Sequence, residues 1–321
     1  MDPARRHRHL FAVDDSESLD RAPELDPPEH ARTALRATGL GKRYGKRWAL
    51  QECSFDIPTG SVVALVGQNG AGKSTLLHLL VGLCRPNAGS VTVLDSSMWP
   101  ASAQLLAQVS FVAQDKPLYR ALSVAQLLRL GARMNPGWDQ AYAMDRLHGR
   151  GIPLERKIGK LSGGQRTQVA LVMALAKRPK VLVLDEPLAD LDPLARREVM
   201  GALMADLAER DVTVVLSSHV LSDLARVCDW LVLIESGRVQ LADSIDVLLS
   251  EHRRLIGPVE LADGVARRIP VVSVQRGERQ AVLLVRPGPA DPILDPRWQV
   301  QEPPLEDLVL AYMGNAQAAL R

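Results

Sequence analysis

The segment VVALVGQNGAGKSTLLHLLVGL, Val62 to Leu83, constrains the fold more than any other part of the chain. Its opening run of apolar residues is short and ends in glycine, which reads as a strand buried on both faces. The apolar positions of TLLHLLVGL recur with helical spacing, so a helix follows. Between them GQNGAGKST fits the pattern G-x-x-x-x-G-K-[ST], in the context its chemistry requires: after a strand and opening a helix. The glycines allow successive backbone N–H groups to point inward, and the helix N-terminus adds partial positive charge, which together cradle phosphates. Gly67, Gln68, Asn69, Gly70, Ala71, Gly72, Lys73, Ser74 and Thr75 are therefore candidate nucleotide-binding residues. In this pattern Lys73 reaches the β- and γ-phosphates and the Ser74 hydroxyl ligates Mg²⁺.

Such a loop needs acidic partners at the end of a neighbouring buried strand, because both Mg²⁺ and an attacking water require a carboxylate there. VLVLDEP supplies two: Asp185 to hold the metal and Glu186 to orient or deprotonate water. Gln114 ends the apolar run VSFVA, where a neutral amide can contact both Mg²⁺ and water. His219 ends VTVVLSSH, where an imidazole can hydrogen-bond a γ-phosphate. Both stand at carboxyl ends of expected parallel strands, where open α/β sheets bind ligands. The candidate catalytic set is Glu186, His219, Gln114 and Lys73, and the candidate metal set is Ser74, Gln114 and Asp185.

Around these motifs, residues 33–58 alternate apolar and polar positions, which predicts an antiparallel β piece of two or more strands. Apolar strands at Val62, Val109, Val181, Val212 and Trp230 alternate with helices, which predicts an α/β core with a mainly parallel central sheet. Between Gln114 and Leu161 the strands stop. SVAQLLRLGARM, DQAYAMDRLHG and the segment after them read as a helical insertion, about residues 115–165, broken at Asn135. Past Ser250 the chain changes character. PVVSVQRGERQAVLLVRP predicts a hairpin turning at Arg276-Gly277, and LEDLVLAYMG a last helix, so residues 251–321 form a small α+β accessory domain. Residues 1–32 carry a basic cluster, Arg5 to His9, without the apolar stretch of a secretory signal, and read as a disordered tail.

The chain has 321 residues, 46% hydrophobic, enough for one main core and a smaller one. A formal net charge of +2 gives no global attraction to nucleic acid or anionic lipid, and no nucleic-acid partner is expected. Cys53, Cys84 and Cys228 are widely spaced and read as structural thiols in a reducing compartment. No window approaches the ~18 to 20 apolar residues of a membrane span.

A second glycine-rich loop, LSGGQ, remains to be explained: Leu161, Ser162, Gly163, Gly164 and Gln165 precede the apolar segment TQVALVMALA. A serine, two glycine amides and a helix N-terminus form another anion site, yet the chain's own nucleotide is already enclosed by GQNGAGKST. Phosphoryl transfer profits from groups supplied to the γ-phosphate by another subunit, so this cradle is assigned to the nucleotide of a partner protomer.

Taken together, Tyr44, GQNGAGKST, Gln114, LSGGQ, VLVLDE, ADLD at Ala189 to Asp192, and His219 resemble, in order and approximate spacing, the nucleotide-binding subunits of ABC transporters. The resemblance covers about residues 33–250, the P-loop NTPase core, and LSGGQ is its discriminating element. It implies ATP and Mg²⁺ as cofactors, adenine stacked on the aromatic Tyr44, and ADLD, with Asp192, across a dimer interface. Ala189 departs from the serine common in that loop. It further implies a homodimer or heterodimer of ATPase subunits, a separate membrane-spanning permease subunit, and a cytoplasmic, peripheral location on the inner face of the cell membrane. DKPLYRALSV, after Gln114, is expected to receive the permease. EPPLEDLVLAYMG and NPGWD resemble exporter ATPases, so export is the expected direction. The competing classes are a soluble ATPase of the translation or DNA-maintenance kind, which shows a doubled domain or long coiled coils, and a regulatory module that holds ATP without hydrolysis, which Glu186 argues against.

Overall fold

The computed structural model describes residues 33–288 and 295–318; the basic cluster at Arg5 to His9 lies outside the described residues. β1 (Thr33–Tyr44) and β2 (Arg47–Pro58) form an antiparallel hairpin with Tyr44 opposite Arg47 at its turn. β3 (Val62–Val66) then enters a different sheet and delivers α1 (Lys73–Leu80). The chain returns as β4 (Ala88–Val93) and β5 (Ser96–Ser97), so the expected antiparallel piece has four strands in the order β2-β1-β4-β5.

After α2 (Ala103–Ala107) the central sheet is built from β6 (Val109–Val112), and the chain leaves it for α3 (Val124–Met134) and α4 (Gln140–Gly149). It comes back through α5 (Gly163–Ala176), β7 (Val181–Leu184), α6 (Pro193–Ala208), β8 (Thr213–Ser217), α7 (Leu221–Leu224), β9 (Trp230–Glu235) and β10 (Arg238–Ser244). The sheet order is β10-β9-β3-β8-β7-β6, parallel throughout except for the β10 edge. Its inner strands are mostly apolar because both faces are covered, VVALV in β3 and VLVL in β7 without a break. Ala64, Val66, Leu182, Leu184, Val214 and Leu216 face a core shared with α5 and α6. Val63, Leu65, Val181, Val183 and Val215 face a second core shared with α1 and the antiparallel sheet. Alternate residues of each strand thus serve opposite layers.

The insertion has its own core, in which Leu127, Leu128, Ala143 and Leu147 pack on Val169 and Val172 of α5. One expectation is corrected here. The segment after α4 is not helical: it runs through turns, with a single 3₁₀ turn over Ile158–Lys160. Gly151 takes a left-handed φ of 62° and Pro153 lacks the N–H that a helix would need.

The insertion is joined to α6 by a polar cluster. The Tyr142 hydroxyl donates to Asp206 at 3.0 Å, and the same buried carboxylate meets Arg146 Nε and Arg150 Nη2, each at 2.7 Å. The Arg210 guanidinium lies 4.0 Å from the centre of the Tyr142 ring. Burial, reinforced by the Asp206 charge, holds the Tyr142 phenol above its ordinary pKa, so it remains a donor. Asp206→Ala would leave the Arg150 guanidinium without its counter-ion and Arg146 with only the exposed Glu209 and Asp145, and is expected to lower stability by about 3 kcal/mol. Urea unfolding of the full chain measures this; a loss within the range of an exposed ion pair would show that the cluster does not hold the two parts together.

The remaining elements are α8 (Ile245–Ser250), β11 (Arg253–Pro258), α9 (Ala262–Ala266), β12 (Val271–Arg276), β13 (Gln280–Val285), β14 (Gln299–Gln301) and α10 (Leu305–Ala318). The four strands form an antiparallel sheet in the order β12-β13-β11-β14, with the expected hairpin turn closed by the Gly277 N–H donating to the Gln280 carbonyl at 2.8 Å. α10 sets Leu305, Leu308 and Val309 into the same core as Leu248 and Leu203, so this region packs on the central domain.

Candidate nucleotide site

β3 is buried, and at its carboxyl end the chain must turn within van der Waals distance of β9. A Cβ at Gly67 would stand 2.2 Å from the Ile234 carbonyl oxygen, so only glycine fits. Gly72, at φ 110°, closes the loop as the N-cap of α1 and contributes no side-chain cap. The amides of the first helical turn are therefore left for an external anion. Lys73, 7% exposed, donates to the Gly67 carbonyl at 2.8 Å and the Gln68 carbonyl at 3.3 Å, which folds its ammonium back over the loop.

This loop forms one wall of a cavity of about 520 Å³. Asn69, Gly70, Gly72, Lys73, Ser74 and Thr75 line one side. Gln114, Glu186 and His219, delivered by the ends of β6, β7 and β8, line the other, with Ala49 and Ala189 completing it. Residues scattered over more than a hundred positions of sequence thus meet because their strands are neighbours in the sheet. His219 Nδ1 lies 2.6 Å from Glu186 Oε2, and Lys73 Nζ lies 3.8 Å from Glu186 Oε1. Glu186 sits at a left-handed φ of 43°, a conformation that costs free energy in a non-glycine residue and aims its carboxylate into the cavity. The geometry suits a base for water held between His219 and a phosphate. Asp185 is buried behind this wall, where its Oδ1 accepts the Ser217 hydroxyl at 2.9 Å.

Tyr44 stands outside the cavity lining and is 54% exposed, with Lys42 Nζ over one face of its ring at 5.3 Å from the centre. Burial raises the pKa of the neighbouring Cys84 thiol, and that of Cys228 to about 12, so both stay protonated near neutral pH, as structural thiols do.

LSGGQ is likewise outside this cavity. Ser162 caps α5: its Oγ accepts the Gln165 N–H at 3.2 Å while Gln165 Oε1 accepts the Ser162 N–H at 3.2 Å. Those acceptor atoms are committed to the helix, which leaves the Ser162 O–H and the amides of Gly163 and Gly164 as donors. Leu161 is buried beneath them. Asp192 similarly caps α6, its Oδ1 accepting from the Leu194 and Ala195 N–H groups.

Three residues not singled out from the sequence organise the site. Ser217 accepts the Glu186 N–H at 2.8 Å as it donates to Asp185, holding both acidic residues; a serine inside the apolar run VTVVLSS was the visible signal. Lys116, beyond Gln114, pairs with Asp190 of ADLD at 3.2 Å. Arg196 lines the space behind Glu186 and His219.

Comparison with known proteins agrees with this geometry. The ABC transporter family model matches residues 50–189. The aliphatic sulfonates import ATP-binding protein SsuB of Escherichia coli strain K12 is 35% identical over 255 residues, covering 78% of this chain and 95% of that protein. The phosphonates import ATP-binding protein PhnC of Frankia casuarinae is 36% identical, over 65% and 89%. Among solved structures, an ATP-binding subunit of an ABC transporter aligns with a TM-score of 0.61 at 28% identity, covering 68% of this chain and 92% of that one. CbiO1 from Clostridium perfringens, described as part of the transporter complex cbiONQ, aligns at 0.60 and 28%, over 74% and 95%. The named relatives are import subunits, so the expectation of export, drawn from EPPLEDLVLAYMG and NPGWD, finds no support. The chain belongs to the ABC transporter family as an ATP-binding subunit, an ATPase built on the P-loop NTPase fold.

Proposed function

We propose that this ATPase pairs with a second copy or a related subunit around two ATP molecules and drives a separate membrane-spanning permease. The observation that carries the reading is the separation of the two cradles: the donors of LSGGQ lie outside the cavity around Lys73. Each cradle is then half of a composite site, Lys73 and Ser74 from one protomer and Ser162, Gly163 and Gly164 from the other, with Asp192 beside them. Tyr44 stacks on adenine, Gln114 and His219 contact the γ-phosphate, and Glu186 takes the proton of the attacking water.

Mg²⁺ fits the residues present. Ser74 and Gln114 face the cavity and the Asp185 carboxylate is fixed by Ser217, a set of hard oxygen donors that the phosphates would complete. Bound there, the ion would neutralise charge on the phosphates.

The permease has a fitting surface. A groove of about 510 Å³ runs between the central domain and the helical insertion, with Leu83, Phe111, Pro117 and Met173 as apolar lining and His78 and Lys116 as polar lining. It borders the loop after Gln114, so a docked segment and a bound nucleotide touch the same loop. No helix among the described residues is long and apolar enough to cross a membrane, which suits a peripheral subunit on the cytoplasmic face. The relatives' names favour import as the direction, and the assignment of residues 33–250 as the ATPase and 251–321 as an accessory domain belongs to the same reading.

Leu83 is 63% exposed, so Leu83→Glu leaves the core intact. The variant is expected to keep the hydrolysis rate of the isolated chain while co-purifying with a multi-span membrane protein at least about 10-fold less well, the effect of a buried unpaired charge. Undiminished co-purification, or a wild-type chain that never associates with membranes, would end the reading; uptake by vesicles carrying the purified complex reads the direction.

A further inference from the structure

The ADLD loop touches parts of the chain that have separate tasks. A Cβ on Gly163 would lie 3.9 Å from the Asp190 carbonyl oxygen and 4.0 Å from Leu191 Cδ2, and one on Gly164 3.9 Å from Leu191 Cδ2. The cradle lent to the partner therefore rests on Leu191, itself buried. On the other side, the Leu191 carbonyl accepts Arg196 Nη2 at 3.4 Å, and Arg196 Nη1 lies 3.4 Å from Asp223 Oδ2. Asp223 is on α7, four residues beyond His219. Arg196, Asp223, Glu186 and His219 line one small cavity behind the nucleotide site.

The guanidinium in this position is under-bonded. Both its contacts are about 0.5 Å longer than a good N–H···O bond, and its Nε is buried with no partner among the described residues. A buried donor without a partner is costly, so Arg196 has hydrogen bonding to gain if Leu191 or α7 moves toward it. Those are the segments on which the lent cradle and His219 stand.

We propose that Arg196 is a positioning residue that connects the cradle a protomer lends with that protomer's own Glu186–His219 pair, through the Leu191 carbonyl on one side and Asp223 on the other. Docking of the partner's nucleotide on LSGGQ displaces Leu191; the guanidinium shortens its bonds to Leu191 and Asp223 together and so braces the His219 segment, whose Nδ1 lies 2.6 Å from Glu186 Oε2, at that distance. The inference rests on the two-protomer reading above. It adds the side chain, Arg196, that joins the lent cradle to the Glu186–His219 pair within one protomer.

The test uses the full chain. Arg196→Ala is expected to lower kcat at saturating ATP about 10-fold or more, as misplacement of catalytic groups does, with KM for ATP within about two-fold. Asp223→Asn should lower kcat in the same sense, and Arg196→Ala with Asp223→Ala should be no slower than Arg196→Ala alone. In a Glu186→Gln background, Arg196→Ala should still form the ATP-dependent dimer seen by light scattering. Unchanged kcat in Arg196→Ala, or additive losses in the double variant, would overturn the proposal. So would a loss of dimer or of thermal stability that accounts for the rate, since that marks a merely structural role. If no dimer forms in the Glu186→Gln background alone, the two-protomer reading fails instead, and the two failures are told apart.

Discussion

Glu186→Gln is expected to abolish steady-state hydrolysis while ATP still binds, with the rate of phosphate release falling by about 100-fold or more, the range of a lost general base. The substitution keeps the side chain's size and its ability to meet His219 Nδ1, now 2.6 Å away, but removes the group that accepts a proton. It also removes the negative charge 3.8 Å from Lys73 Nζ, which strengthens the hold of that ammonium on phosphate. The left-handed backbone at φ 43° is equally strained for either residue, so folding is not the variable. The expected product is an ATP-loaded dimer that does not open. Equal rates of phosphate release from wild type and variant would remove Glu186 from the reaction and leave the Glu186–His219 contact as a structural one.

The second large effect concerns which nucleotide LSGGQ serves. In a mixed dimer, Lys73→Ala in one protomer and Gly164→Asp in the other should fall on the same composite site and leave the other whole, so that about half the hydrolysis remains if the sites act independently. The structure makes Gly164→Asp a clean probe. Among the described residues outside its own turn of helix, the only heavy atom within 4 Å of its Cβ is Leu191 Cδ2, at an ordinary contact distance, so the added side chain fits. The damage is electrostatic: a carboxylate placed where helix amides await an anion. Placing both substitutions in one protomer instead should silence both sites. If the mixed dimer has two silent sites and the single-protomer arrangement spares one, LSGGQ serves its own chain.

How much of this was legible before the structure differs from element to element, for physical reasons. The central strands were readable because a strand covered on both faces needs apolar residues at nearly every position, and VVALV, VLVL and the VVL of VTVVLSS have them. The segment after α4 was misread as helix because its composition is mixed and the decisive features, Gly151 and Pro153, act on only a few residues. Tyr44 has strand-like neighbours, and its exposure depends on the hairpin turning there. Ser217 is marked in the sequence only as a serine closing an apolar run, which does not say what it bonds, and Lys116 and Arg196 are ordinary surface types until the loops that they join are known.

The sequence by itself determined the phosphate loop and its order of strand, glycines and helix, since that chemistry is held by neighbours in the chain and needs no distant partner. It also determined that a second anion cradle exists, because Ser162 and Gln165 cap their own helix within four residues. Only the tertiary structure decided which side chains those loops face. The parallel sheet sets the ends of β6, β7 and β8 side by side, so Gln114, Glu186 and His219 meet Lys73 although no local rule relates them. The packing of Leu191 under Gly163 and Gly164, and of Arg196 between Leu191 and Asp223, has the same origin: contacts between segments distant in sequence are fixed by the layers of the fold, where a pattern read along the chain carries no information about them.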